Sequence, residues 1–66
     1  MNTFRDNGLY EIIYEKRNFT FLQFVRMDTI CDICYVTLKN PVTGEMFSFD
    51  KSKINDIHFR QEFTFV

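Results

Sequence analysis

The chain has 66 residues, a formal net charge of −1 and a pI near 5.7, with 45% apolar and 26% charged residues. This length holds one domain, residues 1–66, and a domain so small buries only about 60% of the surface its unfolded chain exposes. The charge balance offers no basic field to phosphate or to an anionic membrane, and no apolar run approaches the roughly 20 residues of a membrane span.

MNTFRDNG has neither the charged nor the apolar region of a signal peptide. The expectation is a cytoplasmic chain with its two Cys reduced, its initial Met read as the start of a whole gene product. After Asn7-Gly8, LYEIIYE (Leu9 to Glu15) is rich in β-branched and aromatic residues and too short for a helix. It reads as the first strand, with Tyr10, Ile12 and Tyr14 on one face. Lys16-Arg17-Asn18 is a polar break, and FTFLQFVRM (Phe19 to Met27) is the second strand. There Phe19 and Phe21 share one parity and Leu22 and Phe24 the other, so either both faces are covered or a bulge shifts the register.

Asp28-Thr29 reads as a turn and ICDICYVTLK (Ile30 to Lys39) as the third strand. Asn40-Pro41-Val42-Thr43-Gly44 carries turn residues and leads by a hairpin into EMFSFD (Glu45 to Asp50), where Phe47 and Phe49 alternate with Ser48. Residues 50–57 lack β patterning and fit one helical turn, capped by Asp50 or Ser52, with Ile54 and Ile57 pointing inward. HFRQEFTFV (His58 to Val66) alternates again, with Phe59, Phe63 and Phe65 on one face and His58, Arg60, Glu62 and Thr64 on the other.

Four consecutive antiparallel strands, a single helical turn and a fifth strand form an order that resembles small SH3-like and Sm-like barrels. The resemblance spans nearly the whole chain and rests on strand order alone. It implies an all-β fold: a five-stranded antiparallel SH3-like barrel with one short helical turn before the last strand. An open, curled sheet that closes by pairing with a second copy is the rival architecture.

The C-x-x-C of TICDICYV lies among β-branched residues, so it reads as extended. Residues three apart in a strand project to opposite faces about 10 Å apart along the axis, beyond the ~7 Å Cα limit of a disulfide. A redox pair needs a helix N-terminus at its first thiol, and a structural zinc site needs four ligands. Cys31 and Cys34 are therefore expected to be structural thiols, one packed and one near the surface, and no cofactor or metal is expected. A zinc site would require Asp32-Ile33 to be a turn, with ligands added by His58 or a second chain. Glu11, Glu15, Asp28, Asp32, Glu45, Asp50, Asp56 and Glu62 look like a wet face, with no pair spaced as an acid/base couple. Ser48 and Ser52 lack a nucleophile elbow, and two Gly residues cannot build a phosphate loop. The expected class is non-enzymatic.

The aromatic excess points to function. Forty-five per cent of 66 residues is about 30 apolar side chains, and a domain of this size encloses only ~20. Phe47, Phe49, Phe59, Phe63 and Phe65 fit core faces. Phe4, Tyr10, Tyr14, Phe19, Phe24 and Tyr35 exceed the core and are the expected partner-binding residues. The last strand ends at Val66 without a polar tail, an edge open to strand addition. The resulting expectation is a protein-binding module that meets a second copy (a homo-oligomer) or a larger protein target through aromatics and strand pairing. Its size and its many Phe, Ile, Asn and Lys residues fit a small regulator or inhibitor of phage or mobile-element type. The alternative is an Sm-like or OB-like single-stranded nucleic-acid binder using Lys16, Arg17 and Arg26 beside rings such as Phe19; nine acidic residues disfavour it. The third is a zinc or redox protein built on Cys31 and Cys34.

Overall fold

The computed structural model describes residues 4–62. Its strands are β1 (Gly8–Tyr14), β2 (Arg17–Ile30), β3 (Ile33–Lys39), β4 (Met46–Asp50) and β5 (Ile54–Glu62), and a 3₁₀ turn at Lys51–Lys53 precedes the last. They form one antiparallel sheet in the order β4-β3-β2-β1-β5. The all-β architecture and the helical turn before the fifth strand match the expectation. The sheet is not closed, because β4 and β5 lie at opposite edges and do not pair. No helix among the described residues is long and apolar enough to cross a membrane.

Two tight hairpins set the register. Tyr14 pairs with Arg17 across Glu15-Lys16, and Ile30 pairs with Ile33 across Cys31-Asp32. All four loop residues are left-handed, with φ of 49° and 67° in the first turn and 51° and 64° in the second. Two-residue loops need this geometry because its twist matches that of the strands, although a non-glycine residue gives up roughly 1–2 kcal/mol there. Neither turn carries Asn-Gly or Asp-Gly, so the usual sequence signal is missing. The turn expected at Asp28-Thr29 lies three residues later, and β2 runs through both of those residues. Likewise Arg17 and Asn18, read as part of a break, are already strand.

Bulges settle the parity of β2. Pairing jumps from Tyr10 with Leu22 to Ile12 with Phe19, setting Thr20 and Phe21 against Glu11 alone. A second jump, from Phe24 with Leu38 to Arg26 with Thr37, makes Val25 an extra residue. Phe19, Leu22 and Phe24 thus share a face despite their spacing. On β5 the pairing with β1 skips Asn55 and Arg60 in the same way. Bulges bend a strand and raise its twist, which curls the sheet around its own inner face. That face holds the core, Tyr10, Ile12, Leu22, Val36, Leu38 and Phe49, rimmed by Phe4, Tyr14, Phe19, Phe24, Phe47, Ile54 and Ile57.

The loop between β3 and β4 is closed by Asn40. Its side-chain oxygen accepts from the amides of Val42 (2.8 Å) and Thr43 (3.2 Å), and its carbonyl from Gly44 (2.7 Å), whose φ of 81° favours glycine. Asp50 caps the 3₁₀ turn, accepting from the Ser52 amide at 3.0 Å and the Ser52 hydroxyl at 2.7 Å. The helical segment is shorter than the span 50–57. Ile54 and Ile57 do point inward, but as strand residues opposite Tyr14 and Ile12.

The expected division of the aromatics needs correction. Tyr10 is a core residue, 4% exposed, and Phe4, Tyr14, Phe19, Phe24 and Tyr35 are half-buried. Ring-on-ring packing absorbs them: Phe4 stacks on Phe24 at 5.1 Å and meets Tyr10 edge-on at 4.9 Å, and Phe19 lies 5.1 Å from Phe49. Phe49 is buried and Phe47 half-buried, as expected of core faces, but Phe59 is exposed. Phe63 and Phe65 lie outside the described residues.

Candidate functional site

The large apolar side chains left in the open are different ones, spread from the central strand β2 to the edge strands β4 and β5. Ile30 is 58% exposed, Met46 50%, Phe59 42% and Phe21 41%, with Val25, Met27, Ile33 and Val42 also exposed. Phe21 and Val25 are consequences of the bulges, which turn those residues out of the core register. Ile30 and Ile33 face each other at the end of the β2–β3 hairpin, beyond the reach of both β1 and β4. Parity counting misses all four because it assumes regular strands and a turn elsewhere.

The edge strand β5 carries the most organised polar set. The Asp56 carboxylate accepts from the Ile57 amide at 2.9 Å, and its other oxygen lies 2.9 Å from His58 Nε2. Arg60 reaches Glu11 on β1 at 3.6 Å, and Glu11 is the cross-strand partner of His58. Asp56, His58, Arg60 and Glu11 therefore occupy the face away from the core. On the core face Phe59 meets Tyr10 edge-on at 5.4 Å, and the Arg5 guanidinium sits 4.6 Å from the Phe59 ring centre. Such a cation over a ring is favourable and leaves the outer flank of the ring uncovered.

At the other end, the outer face of β2, β3 and β4 holds a groove of about 340 Å³ lined by Arg26, Asp28, Ile30, Tyr35, Thr37 and Ser48. Arg26 and Asp28 form an ion pair at 2.9 Å. Thr37, only 4% exposed, shares a 3.0 Å hydrogen bond with Ser48. Beside it a second hollow of about 310 Å³ lies between the Asp32-Ile33-Cys34 stretch and Asp50-Lys51-Ser52.

One thiol lies at the surface and the other is partly packed, as expected, but the first stands on a turn the sequence did not suggest. Cys31 is exposed on the turn itself, and Cys34 is half-buried on β3 opposite Thr29. The turn is Cys31-Asp32, one residue before the Asp32-Ile33 turn that a zinc site would require, and no helix begins at Cys31. Among the described residues no group of three or more His, Cys, Asp or Glu side chains is placed to hold a metal ion.

The cations of the nucleic-acid reading are not brought together. Lys16 and Arg17 lie at the β1–β2 turn, where the Arg17 guanidinium is 5.3 Å from the Phe19 ring centre. Arg26 is nine residues further along β2, about 30 Å at strand rise, and is paired with Asp28. Of the six rings expected to bind a partner, Phe4, Tyr10 and Phe24 cluster on one side of the core and Tyr14 and Phe19 around Phe49 on the other, while Tyr35 lines the outer groove. They form no single surface. No protein-family model, curated protein or solved structure matches this chain.

Proposed function

We propose that the chain is a non-enzymatic protein-binding module that acts by lending a sheet edge to another polypeptide. The observation that carries this is the open sheet, whose edge strands β4 and β5 each lack a neighbour on one side among the described residues and bear the exposed Met46 and Phe59. An edge presents a row of amide and carbonyl groups ready to hydrogen-bond an added strand, and adjoining apolar side chains supply area and selectivity. Charged groups at the same margin, Asp56 and Arg60 on β5 and Glu45 before β4, steer the encounter. The size of the chain fits a small regulator or inhibitor, and its two free thiols fit a reducing cytoplasm.

Photo-crosslinking inside cells tests this reading. Benzophenone side chains at Met46 or Phe59 should each join the protein to one defined polypeptide, and the product of a self-pairing would have twice the monomer mass. Equal crosslinking from the exposed positions Thr20 and Ser52, or none from either edge, would remove the proposal.

A further inference from the structure

We infer that the partner of the β5 edge is β5 of a second copy, joined antiparallel about a two-fold axis through His58. This rests on the strand-lending reading above and specifies it. An antiparallel two-fold centred on a residue keeps the inner faces of both sheets on the same side, since directly opposed side chains share a face. The sequence of β5, Ile-Asn-Asp-Ile-His-Phe-Arg-Gln-Glu, can then be read against itself. With His58 at the centre, Ile57 opposes Phe59 of the second copy on the core side, and Asp56 opposes Arg60 on the outer side. One step further Asn55 opposes Gln61. These contacts pair like with like in polarity and opposite with opposite in charge, and each occurs twice by symmetry; only the outermost pair, Ile54 against Glu62, does not match.

Neighbouring registers lack this match. Centred on Ile57, Asp56 would face His58, but Asn55 would face Phe59 and Ile54 would face Arg60. Centred on Phe59, His58 would face Arg60 and Ile57 would face Gln61. The free edge of β4, Met-Phe-Ser-Phe-Asp, read against itself about Ser48, offers Met46 to Asp50 and no opposite-charge pair.

The structure prepares the groups this register uses. Asp56, His58 and Arg60 are each more than half exposed. The Asp56 carboxylate lies against its own strand, on the Ile57 amide and His58, so it needs only a rotamer change to reach a guanidinium on the neighbouring strand. Among the described residues Arg60 is held by Glu11 alone, at 3.6 Å, and that contact keeps it on the outer face. Phe59 is packed on one side by Tyr10 and Arg5 and is 42% exposed, and the opposing Ile57 would cover the remainder.

Light scattering on size-exclusion peaks, loaded between about 10 µM and 1 mM, spans the affinity range of a short strand-strand interface. The wild-type chain should pass from monomer to dimer over that range. Asp56→Lys sets a lysine against Arg60 and Arg60→Glu sets a glutamate against Asp56, so each variant alone should dimerise at least about tenfold more weakly. Mixed together they should recover a dimer, because the introduced lysine meets the introduced glutamate across one half of the axis and the retained Arg60 meets the retained Asp56 across the other. Recovery in the mixture also shows that both variants fold, and circular dichroism of each checks this separately. A wild-type monomer at every concentration overturns the two-fold inference, while crosslinks from Met46 or Phe59 to a different polypeptide would keep the wider reading. A dimer indifferent to both substitutions, or a mixture that stays monomeric with β circular dichroism intact, overturns it as well.

Discussion

The amide of Arg5 donates a 2.7 Å hydrogen bond to the hydroxyl of Tyr10, a ring only 4% exposed in the middle of the core. This bond fastens the segment ahead of β1 to the sheet and leaves the polar end of a buried aromatic satisfied. The turn from Arg5 to Gly8, closed by the 3.0 Å bond from the Gly8 amide to the Arg5 carbonyl, brings the backbone hard against the same ring.

Two substitutions follow from that contact. Tyr10→Phe keeps the packing and loses the acceptor, and should cost about 1 kcal/mol in urea unfolding. Gly8→Ala places a methyl group 2.8 Å from Tyr10 Cε2 and 3.1 Å from the Arg5 carbonyl oxygen, and a ring held by its hydroxyl cannot swing away freely. A loss on the order of 1–3 kcal/mol is expected. If Gly8→Ala were neutral, the close approach of this turn to Tyr10 would be wrong.

The tight turns should be improvable. Replacing Glu15-Lys16 with Asn-Gly relieves two left-handed non-glycine residues and should raise stability by about 1 kcal/mol, a rise in Tm of roughly 4–8 °C. The same exchange at Cys31-Asp32 should give a similar gain, and the two should add because the turns are distant. Thermal melts followed by circular dichroism measure this; a fall in Tm at either turn would contradict the assigned geometry.

Thr37 and Ser48 offer a test of the outer face. Thr37→Val and Ser48→Ala each break the 3.0 Å hydroxyl pair and should each cost about 0.5–1.5 kcal/mol. Once one hydroxyl is gone the second has no partner to lose, so the double variant should be little worse than either single one. Strictly additive losses in denaturant titrations would show that the pair contributes nothing.

Single-stranded RNA and DNA should bind no tighter than about 10⁻⁴ M at physiological salt, the weak end of non-specific association. The physical basis is the separation of Arg26 from Lys16 and Arg17 and its neutralisation by Asp28. Micromolar binding that falls steeply with added salt would instead support the nucleic-acid alternative.

Much of the architecture was legible in the residue pattern. The alternation of Tyr10, Ile12 and Tyr14 marked β1 and its inner face, Pro41 and Gly44 marked the β3–β4 loop, and Asp50 marked the cap of the 3₁₀ turn. Where the pattern misled, the cause was local geometry that carries no residue signature. Cys31-Asp32 and Glu15-Lys16 adopt turn conformations usually signalled by Asn and Gly, and the bulges at Thr20-Phe21 and Val25 break the parity on which an inside-outside assignment depends. The division of rings into covered and exposed was misread for the same reason. Counting rings anticipated exposed apolar residues but not which ones, because Phe4, Tyr14 and Phe19 are half-buried in ring-on-ring packing around the core while Phe21 and Phe59 stay exposed.

By itself the sequence determined an all-β chain with five strands, their order along the chain and a short helical turn before the last, because strand propensity and turn chemistry are local properties. Only the tertiary structure decided which strands stand at the edges, which rings are covered and where the two thiols sit. Those outcomes depend on bulges and on cross-strand register, and register is a relation between distant segments that no single stretch of residues encodes.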